Sequence, residues 1–332
     1  MTSLTGFAGA LPDAQGRPPG LPLRALALGA AWLALAAATY ALPEDGDFPT
    51  TAAFAAGALG LGLILPLLVA RSAHLGRAGA SLAHWTPWLT LLALALTAWE
   101  LITAKFALLP MPFFPPPQAI LEVFLEDWPR LGGSILASLK LLAGGYLIGA
   151  GLGFVLGVAI GWSKAVGYWA HPILRFVGPL PATAWLPMAF FVFPSSWSAS
   201  TFLIALATGF PVTVLTWSGV AGVNKAYFDV ARTLGASPAF LVLRVAVPAA
   251  LPHVFVGLFM GLGGAFAVLV VAEMLGVKSG LGWYLQWAQG WAAYANMYAA
   301  LIVMALMCSG LITLLFRLRD RVLSWQKGLV QW

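Results

Sequence analysis

The sequence predicts an all-α integral membrane protein of about eight spanning helices, and three observations carry that prediction. Hydrophobic residues make up 61% of the 332 and charged residues only 8%, against roughly 25% charge in an average soluble chain. Mean hydropathy is +0.90. Apolar runs of about 20 residues, the length a helix needs to cross a bilayer, recur from one end of the chain to the other.

The predicted spans cover about 22–42, 51–70, 88–109, 134–161, 177–194, 199–220, 251–275 and 295–316. Arg24 followed by an Ala/Leu run resembles a leader peptide, but the run is long and no clean small-x-small site lies near Thr39 to Ala41, so a retained helix is expected. Gly and Pro are frequent within the runs, as in GGYLIGAGLGFVLGVAIG at 144–161. Spanning helices tolerate them, and small residues let neighbouring backbones approach closely. Between the third and fourth spans, LLPMPFFPPPQAILEVFLEDWPR at 108–130 carries too many prolines for a continuous helix. Its 120–128 portion is expected as a short amphipathic helix at the outer surface.

With the N-terminus inside, thirteen of the seventeen Lys and Arg fall on the inner side, among them Arg17, Arg71, Lys164, Arg175 and Lys327. The positive-inside rule then places both termini in the cytoplasm and the acidic stretch at 44–47 outside. The net charge of +6 is spread over short loops and forms no stripe, so lipid headgroups and orientation account for it and nucleic acid is not an expected partner. The lone Cys308 lies in an apolar run, which excludes a disulfide or Cys-based metal framework within the chain. His74 and His84 fall in the second cytoplasmic loop and His171 and His253 at membrane boundaries, without metal-binding spacing. Ser195, Ser196 and Ser198 have no His and Asp companions for hydrolase chemistry.

The longest cytoplasmic loop, about 221–250, is unlike a solvated loop because YFDVARTLGASPAFLVLRVAVP exposes much apolar surface. Asp229 is expected to complement a helix N-terminus, Gly235 to end that helix in a left-handed turn, and Ser237 with Pro238 to start a second one. A helix, a sharp turn and another helix at the membrane surface can fill a groove on a soluble partner.

This loop resembles the EAA motif of ABC importer permeases: Glu-Ala-Ala, three residues, Gly, nine residues, an aliphatic, one residue, Leu-Pro. Here the positions are Asp229, Val230, Ala231, Gly235, Val245, Val247 and Pro248, with every spacing kept. Trp99 and Glu100 with LLPMPFFPPPQAI, HPILRFVGPLPATAWLPMAFFVF at 171–193 and VVAEMLGVKSGLGWYL at 270–285 are similar to permeases importing sulfonates, taurine, nitrate or thiamine precursors. FVFPSS stands where those carry a Trp-Phe-Gly turn. The resemblance divides the chain into an extension of two helices (1–75) and a permease core (76–332) of the type I ABC importer fold. It implies residence in a bacterial-type inner membrane and a second permease copy, habitually forming a homodimer. The implied partners are ATP-binding cassette ATPase subunits, which hold the ATP and Mg, and an extracytoplasmic substrate-binding protein. Asp229, Val230, Ala231, Arg232, Gly235 and Pro248 become the expected ATPase-coupling residues. Independently, no GxxxxGK[ST] phosphate loop occurs, so the chain is expected to bind no cofactor and to perform no catalysis of its own.

Ionisable groups at bilayer depth are costly and need a reason. Glu273 either lines the path, pairing with Lys278 or Lys140, or fixes the core as an interhelical hydrogen-bond partner, and Glu100 suits the structural role better. The cluster WYLQWAQGWAAY at 283–294 either stacks a substrate or forms an interfacial belt. Gln286, Gln289 and Asn296 are candidate hydrogen-bond donors along the path. An ion-coupled secondary transporter or channel is the alternative, and it requires midplane acids and paired broken helices.

Overall fold

A computed structural model describes residues 21–44, 46–72 and 76–326; Arg17, Asp45, His74 and Lys327 lie outside the described residues. Among the described residues the regular structure is entirely helical. Seven helices are long and apolar enough to cross a membrane, or eight if one bent pair counts as a span. The described residues form two compact units, those up to 128 with 292–299, and 129–291 with those from 300 onward.

In the first unit α1 (Leu21–Ala41), α2 (Thr51–Ala70) and α3 (Gly76–Glu100) enclose a core of Leu28, Trp32, Leu35, Ala58, Val69 and Ala93. By packing, therefore, α3 belongs with the first two helices, whereas the division drawn from sequence falls at residue 75. The third span begins near residue 78 and not at 88, so His84 sits on α3 beside Trp85 and not in a loop. Pro87 hid this start, yet a proline within a spanning helix is accommodated here. The helix ends in a π turn, Leu101–Lys105. Then α4 (Pro117–Glu126) starts with Pro at its first position. Its Ile120 and Val123 pack against Ala299 and Trp99.

The second unit contains α5 (Trp128–Trp162) from Pro129 onward, α6 (Lys164–Val177), α7 (Leu186–Val192), α8 (Ser196–Ala221), α9 (Lys225–Thr233), α10 (Pro238–Phe240), α11 (Val247–Leu275) and α12 (Leu281–Gly290). It also takes α13 (Tyr294–Val322) from residue 300. Glycines on α5 bring it against α8: a Cβ added at Gly153 would lie 2.6 Å from the Gly209 carbonyl oxygen. The core joins Leu141, Leu142, Leu203, Ile204, Leu262 and Leu269. Tyr146 donates its hydroxyl to the Leu258 carbonyl at 2.9 Å, tying α5 to α11.

Two predicted elements differ. The fifth span, 177–194, is not one helix: α6 and the segment Ala182–Val192 meet at 85°. Pro179 and Pro181 at the junction cannot donate backbone hydrogen bonds and restrict the residues before them. The seventh span does not begin at 251. A continuous helical run extends from Pro238 to Leu275, its π turn at Leu241–Ala246 lying just ahead of Pro248 and accommodating the bond that this proline cannot make.

Candidate coupling surface and buried polar clusters

The segment 224–248 is a helix, a turn and a second helix, each boundary set by a local bond. Asn224 caps α9, its side-chain oxygen accepting from the Ala226 N–H at 3.0 Å. At the other end the Ala236 N–H donates to the Ala231 carbonyl at 3.0 Å and the Gly235 N–H to Arg232 at 2.9 Å. These are the two bonds of a Schellman cap. Gly235 closes it at φ +80°, a left-handed conformation that costs an L residue energy but glycine almost none. Ser237 then caps the next helix through the Phe240 N–H at 3.3 Å, with Pro238 at its first position.

One face of α9 is anchored and the other is free. Phe228 packs against Val220, Ala246 and Ala250, and its ring meets Trp162 at 5.8 Å. Ala231, one turn on, is half-buried. Tyr227, Val230 and Leu234 point away, with Leu234 82% exposed. Val230, bulkier than the alanine of the EAA pattern, thus adds its bulk to the outer surface and leaves the anchored face undisturbed. Asp229 does not complement the helix N-terminus as expected: α9 starts at Lys225, so Asp229 lies beyond the first turn and pairs instead with Arg232 at 3.2 Å, both exposed. Pro248 is half-buried near the start of α11.

The predicted pathway residues are not gathered in one place. Glu273 is buried, 1% exposed. Its carboxylate accepts from the Ser138 hydroxyl at 2.7 and 3.0 Å and from the Gly282 N–H at 2.8 Å, while Ser138 accepts from the Leu281 N–H at 2.8 Å. This joins α5, α11 and the start of α12. Neither Lys140 nor Lys278 pairs with Glu273. Gln286 and Gln289 are exposed on α12, and Asn296, in the first unit, donates to Asp127 at 3.4 Å. Within the aromatic cluster Tyr284 is buried, Arg130 lies 4.5 Å from the centre of the Trp287 ring, and Trp291 is exposed.

A polar cluster that sequence reasoning missed lies in the first unit. Lys105 donates to the Thr39 carbonyl at 2.7 Å, pairs with Glu44 at 3.0 Å and lies 3.6 Å from Glu100. The Gln118 side-chain amide donates to Glu100 at 3.2 Å, and the Gln118 backbone carbonyl accepts from the Thr50 hydroxyl at 2.6 Å. In a regular helix, residues five apart are rotated by about 140°. The π turn, by adding a residue to the turn, brings Glu100 and Lys105 to one face. Thr39, Glu44 and Thr50 flank the connection between α1 and α2, so the cluster fastens both helices to α3 and α4.

Comparison with known proteins fits this framework. The sequence model of the family described as binding-protein-dependent transport system inner membrane component matches residues 149–326. A probable ABC transporter permease of Brucella abortus is 32% identical over 237 residues, covering 71% of this chain and 93% of the relative. A putative aliphatic sulfonates transport permease of Bacillus subtilis is 30% identical, covering 74% and 89%. The nitrate import permease of Synechococcus elongatus is 29% identical, covering 75% and 91%. The chain is a multi-pass membrane protein belonging to the binding-protein-dependent inner membrane components, the permeases of ABC transporters.

Proposed function

We propose that the chain is the membrane-spanning permease of an ATP-driven importer for a small anion of the nitrate, sulfonate or taurine class. It forms the path as a homodimer of the type I fold, in the cytoplasmic membrane with both termini inside. An extracytoplasmic binding protein delivers the substrate, and separate ATPase subunits hold ATP and Mg. Residues 1–75 are an addition to the permease core.

The observation that carries the coupling assignment is the outward stripe of Tyr227, Val230 and Leu234 on a helix whose other face is locked to the body through Phe228 and Trp162. An apolar stripe at this spacing is what a groove on a partner receives. Because the run after Gly235 continues unbroken to Leu275, a force on the turn is transmitted along a single rod into the membrane. ATP binding would then favour one of two discrete packings of the permease pair. The subfamily of the similar permeases supports the anion class, since those matched import sulfonates and nitrate by name.

Purification of the tagged chain from its host in mild detergent tests this, with Gly235→Trp as control. The Gly235 Cβ position faces open space, but at φ +80° any L side chain is strained, by about 1–2 kcal/mol; that cost is confined to the surface turn, so the variant is expected to fold while the distorted turn and the ring disrupt the docking stripe. A Walker-motif ATPase accompanying the wild type in near-equal amount and depleted in the variant is the expected result. Absence of any ATPase from a dimeric preparation would contradict the assignment.

A further inference from the structure

Resting on the anion-importer reading, we infer that a cavity between α6 and α8 is an oxyanion-binding station of the transport path. The cavity is an open cleft of about 900 Å³ walled by Pro172 and Phe210, and it carries four polar side chains: His171 and Trp217, half-buried, and Tyr168 and Arg175, exposed. All four present N–H or O–H donors, and no carboxylate lines the cavity. Among the described residues Arg175 has no acidic partner, and His171 Nε2 is buried without any hydrogen-bond partner. A buried ring nitrogen left unpaired is costly, and with the ring proton on Nε2 an incoming acceptor relieves it. The His171 ring is held edge to face against Trp217 at 4.4 Å, which fixes its direction. A planar guanidinium beside fixed N–H donors matches a planar or tetrahedral oxyanion better than a cation or a neutral sugar.

The position suits a station linked to the ATPase. Trp217 lies near the end of α8, ahead of the segment carrying α9, and Trp162, which holds Phe228, immediately precedes the cap of α6. Movement of the coupling helix therefore acts on both walls of the cavity. Lipid phosphate is the other source of the same chemistry, and the test separates the two.

The experiment measures uptake of labelled nitrate, taurine and an alkanesulfonate by host cells whose own chain is replaced by Arg175→Gln, Arg175→Lys or His171→Phe, with Gly235→Trp alongside and membrane levels matched by immunoblot. Arg175→Gln is expected to lower uptake by roughly tenfold or more, the lower end of what a charge-assisted hydrogen bond contributes. Arg175→Lys, which keeps the charge but loses the planar fork, should retain more uptake than Arg175→Gln and less than wild type, and co-purification of the ATPase should be unchanged in both. Wild-type uptake in Arg175→Gln and His171→Phe, with loss in Gly235→Trp, overturns the station and leaves the importer reading standing. No uptake of any of the three anions by wild-type cells removes the anion reading and the station with it. In nanodiscs with and without phosphatidylglycerol, an Arg175→Gln effect confined to lipid-dependent thermal stability, with uptake intact, assigns the cavity to lipid headgroups and overturns the proposal.

Discussion

Glu273→Ala removes the acceptor shared by two buried donors, the Ser138 hydroxyl and the Gly282 N–H. Each buried donor left unsatisfied costs about 1–3 kcal/mol, so the pair costs roughly 2–6 kcal/mol before the emptied volume is counted. With about 2–4 °C of Tm per kcal/mol for a domain of 150–250 residues, the melting temperature should fall by about 5 °C or more. Nanoscale fluorimetry of the purified protein in mild detergent reads this directly. Glu273→Gln keeps an acceptor oxygen and nearly the same volume, so it should lose less and should transport close to the wild-type rate. A Tm within about 1 °C of wild type for Glu273→Ala, or abolished transport in a stable Glu273→Gln protein, would refute the argument that this carboxylate is a strut between α5, α11 and α12.

Other expectations follow from the same geometry. Lys105→Met leaves buried Glu100 and half-buried Glu44 without their cation, a change that costs about 3–5 kcal/mol when a buried pair is broken, and should appear as a matching loss of thermal stability. Gly153→Val forces a Cβ to within 2.6 Å of the Gly209 carbonyl and should destabilise by at least the roughly 1–3 kcal/mol of overpacking, whereas Gly144→Ala, on the open side of α5, should be neutral or gain about 1 kcal/mol in helix propensity. Trp162→Ala removes the ring behind Phe228, and should reduce ATPase co-purification while the transmembrane fold persists by circular dichroism.

The apolar runs made the long helices legible, because a span needs only length and composition. The helix, turn and second helix at 224–248 were legible too: Gly235, Ser237 and Pro238 act as the stop, cap and first residue that their chemistry dictates. The junction at 178–181 was misread because hydropathy averages over its prolines. Asp229 was misplaced by one helical turn because Asn224, a better cap three residues outside the quoted stretch, starts α9 earlier. The Glu44, Glu100, Lys105 and Gln118 cluster joins residues up to 74 positions apart in the chain, and only the π turn aligns two of them. Such a turn has no pattern in hydropathy. The cavity at His171 and Arg175 likewise joins residues of α6 and α8 some 40 positions apart, which no run of residues announced.

The central claim is that ATP, spent by a partner, drives transport through this chain. Its most direct test is uptake of labelled anion into proteoliposomes holding the co-purified complex and binding protein, with ATP supplied to the ATPase side and ion gradients collapsed by ionophores. Uptake that requires ATP and survives the ionophores, and that disappears in Gly235→Trp, is the predicted result. Uptake that proceeds without ATP and vanishes with the ion gradient would contradict it and establish an ion-coupled carrier instead.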